Sequence, residues 1–157
     1  MMYALNPYLN FQSDAREAME FYQSVFGGEL TISTFGEFNA VPEGHEASDQ
    51  VMHAALEGPV RLYAADHPQG FAPHDFVRGT NVNLAFMGDA ESELAPWFEA
   101  LSEGGEVVMP LGRQVWGDLY GNVVDRFGIS WMFNIATDSD PASTLMEDPI
   151  SEGGTGE

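Results

Sequence analysis

The chain offers few side chains that could do chemistry, and its histidines are the first to consider. It has four histidines and no cysteine, which excludes disulfides, thiolate metal sites and cysteine nucleophiles. His53 lies in the segment Met52-His53-Ala54, whose apolar setting predicts a strand. It could act as a pocket hydrogen-bond donor or a general base, because an imidazole titrates near neutral pH. It could equally be hydrogen-bonded within the sheet or at an interface between two copies of the chain.

Two carboxylates and one aromatic segment complete the candidates. Asp66 and Asp118 are the acids that could assist His53. Trp116 begins a segment that continues to Tyr120, and its indole could stack on a planar ligand because it offers a large flat surface. It could also belong to the core, and the sequence leaves both readings open. The remaining histidines, His45, His67 and His74, lie in segments rich in proline and glycine, where an exposed histidine needs no ligand.

These candidates are distributed over an internal duplication. Residues 11–29 and residues 86–106 share one order: a phenylalanine, an Asp-Ala pair, an amphipathic stretch and a Gly-Gly-Glu end. Asp14 and Asp89 are predicted to cap the two helices, since aspartate accepts hydrogen bonds from the first free amides. The Gly-Gly pairs are predicted to end the helices, because glycine enters the left-handed region without steric cost.

Apolar segments around each helix predict the strands. They are expected at 5–11, 29–35, 50–57 and 60–66 in the first copy and at 80–86, 106–112, 117–125 and 129–136 in the second. The sequence therefore predicts an α+β fold of two tandem βαβββ repeats within one domain, residues 1–136. The repeats are expected at 3–66 and 80–136, with a linker at 67–79. An acidic tail rich in proline, glycine and serine, residues 137–157, is expected to be disordered.

The first strand of each repeat alternates between two kinds of side chain. Leu9 and Phe11 fall on one face, and Asn6, Tyr8 and Asn10 fall on the other. The second copy repeats this pattern, with Asn81 and Asn83 on its polar face. We expect the apolar face to pack on the helix and the amide-rich face to line a pocket.

The charge balance narrows the range of partners. The chain has 25 acidic residues and 5 basic ones, none of them lysine, and its formal net charge is -20. Such a surface repels phosphate backbones and anionic lipids, so no nucleic acid and no membrane is expected as a partner. The N-terminal residues show neither a basic region nor a long apolar run, which predicts a cytoplasmic protein without a signal peptide.

Short motifs in a fixed order give the chain a family resemblance. They are Pro7-Tyr8-Leu9-Asn10-Phe11, Arg16-Glu17-Ala18, Glu20-Phe21-Tyr22, Phe26-Gly27-Gly28, Met52-His53-Ala54, Met109-Pro110-Leu111, Trp116-Gly117 and Asp125-x-Phe127-Gly128-Ile129-x-Trp131-Met132. In this order they resemble the PhnB-like branch of the glyoxalase, bleomycin resistance protein and dioxygenase superfamily, also called the vicinal oxygen chelate superfamily. The resemblance implies curled mixed sheets around a cup, with helices on the outer face. It also implies a homodimer.

The resemblance further implies where a metal would bind. Catalytic members of the superfamily hold one divalent ion by side chains from the first and last strand of each half. In this sequence the matching positions are Asn6, Leu62, Asn81 and Met132. The ligands at these positions are histidine, glutamate or glutamine, and two short neutral amides, a leucine and a methionine do not make such a site. We therefore predict neither a standard metal centre nor another cofactor.

Three functions remain open at this point. The first is a binding protein whose cup holds a small, partly polar or aromatic molecule. The expected pocket residues are Asn6, Tyr8, Asn10, His53, Leu62, Asn81, Asn83, Trp116, Tyr120 and Met132. The second is a metal-dependent lyase or dioxygenase with non-standard ligands. The third is a structural or regulatory dimer with a closed pocket.

Overall fold

The computed structural model describes residues 2–71 and 73–137. These residues form two compact units, the first ending at Asn81 and the second beginning at Val82. Residues 138–157 of the expected tail lie outside the described part. Within that part, neither helix is long and apolar enough to cross a membrane.

The first half folds as one βαβββ unit. Its elements are β1 (Tyr8–Phe11), α1 (Ala15–Phe26), β2 (Glu29–Thr34), β3 (Val51–Glu57) and β4 (Leu62–Asp66). The four strands lie in the order β1-β4-β3-β2. Strand β1 runs parallel to β4, and the other neighbours are antiparallel.

The second half repeats this topology. Its elements are β5 (Leu84–Gly88), α2 (Glu91–Ser102), β6 (Glu106–Arg113), β7 (Leu119–Val124) and β8 (Ser130–Ile135). The strand order is β5-β8-β7-β6, again with one parallel pair, β5 and β8. The predicted α+β fold of tandem βαβββ repeats is therefore confirmed.

One face of the first sheet packs on α1, as the alternation predicts. Leu9 and Phe11 of β1 are buried, whereas Tyr8 and Asn10 are exposed. The helix contributes a continuous buried stripe, which consists of Ala15, Ala18, Met19, Phe21, Tyr22 and Phe26. We call the opposite side of each sheet, which points away from its own helix, the open face.

The start of α1 differs from the prediction. Asp14 occupies the N-cap position, but its side chain makes no capping hydrogen bond. Instead the Ala15 amide donates to Oδ1 of Asp66, at 2.9 Å, and the Val51 amide donates to Oδ2, at 2.8 Å. Asp66 thus ties the helix to β3 from the buried side of the sheet, which is why it does not join His53 as expected. Burial raises the pKa of the Asp66 carboxyl, against the two backbone hydrogen bonds that lower it.

The second helix begins without such a carboxylate. Its N-cap is Ala90 rather than Asp89, so the prediction for Asp89 is wrong. The strand register explains why no carboxylate from the last strand accepts the first amides of α2, as Asp66 does for α1. Phe11 pairs with Asp66, while its counterpart Phe86 pairs with Phe133.

A buried aspartate organises the last hairpin of the second half. Oδ1 of Asp125 accepts the amides of Phe127, at 2.9 Å, and Ile129, at 3.0 Å. Its Oδ2 accepts the indole Nε1–H of Trp131 at 2.8 Å. One side chain therefore fixes both the turn and the largest core residue, which gives the Asp125-to-Trp131 motif a structural explanation.

Candidate functional site

Three rings lie together on the open face of the first sheet. Tyr8 of β1 pairs with Tyr63 of β4, and Tyr63 pairs with Ala55 of β3. Side chains at paired positions point to the same face, so Tyr8 and Tyr63 lie side by side. His53 is two residues before Ala55 and reaches the same surface. We call Tyr8, His53 and Tyr63 the Tyr8 cluster.

The rings of the Tyr8 cluster contact one another closely. The Tyr8 hydroxyl oxygen lies 3.0 Å from Nδ1 of His53. The Tyr8 and Tyr63 rings stack with centroids 6.3 Å apart, and His53 stacks on Tyr63 at 5.7 Å. Beyond the rings, the Tyr63 hydroxyl donates to Oε1 of Glu57 at 3.4 Å. The cluster combines flat apolar surfaces with several polar atoms.

The Tyr8 hydroxyl carries its proton at neutral pH, as a tyrosine phenol ordinarily does. Partial desolvation raises the pKa of this phenol further above neutrality. A protonated phenol can donate to Nδ1 of a neutral imidazole, which leaves the imidazole proton on Nε2. In this arrangement His53 offers an N–H group to a ligand through its second nitrogen.

Leu62 is not on this face, contrary to the expectation. It is only 1% exposed and belongs to the core. Its neighbour Tyr63 takes the open position, because successive side chains of a strand point to opposite faces. Sequence reasoning missed Tyr63 because it matched Leu62 with Met132 by their distance from a glycine turn. The register instead places Tyr63 opposite Tyr8, and an aromatic residue with a polar tip beside a core leucine was the available signal.

The other expected residues of the first half flank the cluster. Asn10 is exposed on β1, two residues after Tyr8. Asn6 is half-buried and precedes β1, which begins only after Pro7. A proline has no amide hydrogen for the strand ladder, which accounts for the late start of β1.

The remaining expected residues belong to the second unit, except Asn81, which ends the first unit. Asn81 and Asn83 precede β5, and the hydroxyl of Ser130 donates to the side-chain oxygen of Asn83. Met132 is half-buried on the open face of this sheet. Trp116 is 43% exposed, so its interpretation as a core residue is wrong.

The expected metal positions do not fit a divalent ion. They offer two short amides, a buried leucine and a thioether, so two of the four positions have no nitrogen or oxygen donor for such an ion. Among residues 2–71 and 73–137, no three histidine, aspartate or glutamate side chains come together in a way that could hold a metal ion. The donor set thus gives no basis for metal chemistry at these positions.

Comparison with known proteins identifies the family. Residues 4–133 match the family model of the glyoxalase/bleomycin resistance protein/dioxygenase superfamily. Protein YjdN of Escherichia coli is 27% identical over 141 residues, which cover 83% of this chain and 94% of YjdN.

Solved structures agree with this result. The crystal structure of protein PA1353 from Pseudomonas aeruginosa is 35% identical, with a TM-score of 0.71, and the match covers 87% of this chain and 100% of that one. The PhnB protein from Bacillus cereus shows the same fold at 24% identity and a TM-score of 0.66, over 85% of this chain and 100% of that one. The chain belongs to the glyoxalase/bleomycin resistance protein/dioxygenase superfamily.

Proposed function

We propose that this chain is a small-molecule-binding protein of the PhnB-like branch that binds its ligand at the Tyr8 cluster without the standard metal centre. The observation that carries the proposal is the hydrogen bond between the Tyr8 hydroxyl and His53 Nδ1 on an exposed set of stacked rings. The hydrogen bond orients these polar atoms, and Tyr8 and His53 are exposed, so a ligand can reach both side chains.

Exposure favours a binding site over a closed pocket. Tyr8 is 48% exposed, and His53 is exposed as well. A side chain that only filled a closed cup would be covered. The proposed ligand is small and carries a flat portion for the tyrosine rings and an acceptor for the Nε2–H of His53.

A fragment screen by NMR tests the position of the site. We expect fragments with an aromatic ring and a carbonyl or carboxylate acceptor to shift the resonances of Tyr8, His53 and Tyr63 together. Tyr8→Ala and His53→Ala should each weaken the strongest fragment about tenfold, because each removes a stacking or hydrogen-bonding group.

Thr31→Ala is the matched control for this screen. Thr31 pairs with Ala55 on the same open face and is exposed, but it lies outside the cluster. Binding should be unchanged in this variant. Fragments that bind elsewhere on the first half, or that bind the Tyr8 and His53 variants as tightly as the unchanged protein, would refute the proposed site.

We also propose that the chain forms a homodimer through the outer strand of the second sheet. Strand β6 lies at the edge of its sheet, and Val107, Val108 and Met109 are exposed along it. An exposed apolar edge strand is a surface that proteins normally cover. Beside it, a groove of about 420 Å³ separates β6 from α2, with Phe98 and Leu111 among its lining residues.

Sedimentation velocity tests the proposed dimer. Val108→Asp should convert a dimer to a monomer, because a carboxylate would be desolvated in the interface. Val77→Asp changes another exposed valine, outside the strands, and should leave the dimer intact. A monomer in the unchanged protein at high concentration would contradict this proposal.

A further inference from the structure

The open face of the second sheet carries a tryptophan in an unusual setting. Two of the three tryptophans contact the same aromatic ring: the half-buried Trp97 lies 5.3 Å from Phe86, and the buried Trp131 stacks on it at 5.8 Å. Trp116 instead meets Tyr120 edge-on, with centroids 6.1 Å apart and planes at 68°. Much of its indole therefore remains exposed.

Hydrogen bonds hold this exposed indole in one orientation. The Nε1–H of Trp116 donates to Oδ1 of Asn134 at 3.3 Å. The Nδ2 group of Asn134 donates in turn to Oδ2 of Asp118 at 2.6 Å. A carboxylate accepts but does not donate, so Asp118 fixes which end of the Asn134 amide faces it. The opposite end, the oxygen, is then directed at the indole.

The backbone around Trp116 is fixed as well. The Gln114 amide donates to the carbonyl of Asp118 at 2.9 Å, which closes the turn that carries the tryptophan. Arg113 and Thr137 both donate to the carbonyl oxygen of Gly117, at 2.8 and 3.2 Å. A ring that is already ordered loses little conformational entropy when a ligand stacks on it.

The surroundings of Trp116 define the chemistry of a ligand. Trp116 lies in the turn between β6 and β7 and contacts Tyr120 and Asn134 on the open face. Met132 lies on the same face as these two residues, so the face supplies aromatic, thioether and amide groups. Asp118 is buried behind Asn134, so it offers no exposed partner for a cation. The net charge of -20 disfavours an anion. These properties favour a planar, uncharged molecule.

We infer that the second half carries its own binding site for a planar, uncharged aromatic compound, which stacks on the indole of Trp116. Asn134 and Asp118 act as positioning residues, since they hold the indole and do not themselves stack on the ligand. The inference uses observations of the second half alone, so it holds whether or not the Tyr8 cluster binds a ligand.

The three tryptophans make the inference directly testable with coumarin, a planar uncharged probe. In a ¹⁵N-labelled sample each indole Nε1–H gives one NMR peak, and the variants Trp116→Phe and Trp97→Phe assign them. Coumarin should shift the Trp116 peak in a saturable way and leave the Trp97 and Trp131 peaks in place. Trp116→Ala should weaken binding about tenfold, followed through the Tyr120 amide.

A variant of the positioning residue Asn134 tests whether this side chain orients the indole of Trp116. Asn134→Ala should move the Trp116 indole peak of the free protein and weaken coumarin about threefold. Glu93→Ala, which changes an exposed side chain of α2 on the other side of the same sheet, should do neither.

Three results would overturn the inference. In the first, the Trp116 peak does not move up to the solubility limit of coumarin. In the second, coumarin shifts all three indole peaks alike. In the third, Trp116→Ala binds coumarin with unchanged affinity. The Trp131 peak reports whether each variant is folded, because this ring is buried in the core.

Discussion

At the scale of single residues, alternation along a strand predicted part of the candidate site. It placed Tyr8 and Asn10 opposite Leu9 and Phe11, and the structure agrees. It could not place Tyr63, because the face of a residue on β4 depends on the register with β1, which is a contact between distant segments.

The role of Asp66 likewise depends on contacts between distant segments, which the sequence alone does not show. The sequence suggested a partner for His53, but the carboxylate accepts the amides of Ala15 and Val51. In Asp66→Asn one side-chain oxygen becomes an NH₂ group that cannot accept. We expect the free energy of unfolding at neutral pH to fall by about 1–3 kcal/mol, measured by urea denaturation.

The difference in unfolding free energy between the unchanged protein and Asp66→Asn should depend on pH in one direction. Burial raises the pKa of Asp66 in the folded state, so the folded state holds the proton more tightly than the unfolded state. The stability linked to this proton is fully present below the unfolded pKa, about 3.9, and is lost as the pH rises through the folded value. The gap between the unchanged protein and Asp66→Asn should therefore widen on acidification. A gap that narrows on acidification would contradict this explanation.

At the scale of elements, local signals predicted all ten helices and strands, and their ends were less predictable. The strand expected at 80–86 is observed as Leu84–Gly88. Its partner β8 begins at Ser130, so the pairing, rather than the apolar pattern of the segment itself, determines where the strand lies.

The end of α1 gives a matched pair of glycine variants. Gly27 and Gly28 both have positive φ, 75° and 104°, but only Gly28 is crowded: a Cβ there would lie 2.7 Å from the carbonyl oxygen of Glu57. Gly27→Ala should cost about 1–3 kcal/mol for the backbone alone, because its φ of 75° and ψ of -173° lie in a region that is essentially restricted to glycine. Gly28→Ala should cost distinctly more, because strand β3 must also move. Urea denaturation measures both, and equal losses would show that the close approach contributes nothing.

At the scale of the whole molecule, the net negative charge affects the stability of the fold. The chain has 25 acidic and 5 basic residues, so the acidic side chains of the folded protein repel one another. Salt screens this repulsion, with a Debye length of about 10 Å at 0.1 M. Thermal unfolding should therefore move to higher temperature as sodium chloride rises from low to moderate concentration. A melting temperature that stays constant or falls over this range would contradict this expectation.

Binding at the Tyr8 cluster without a metal ion is the central claim, and calorimetry tests it most directly. The strongest fragment from the NMR screen is titrated into protein before and after dialysis against EDTA, and again after a divalent cation is added back. We predict one dissociation constant in all three samples and a weaker one in His53→Ala. Binding that disappears with EDTA and returns with the cation would contradict the claim.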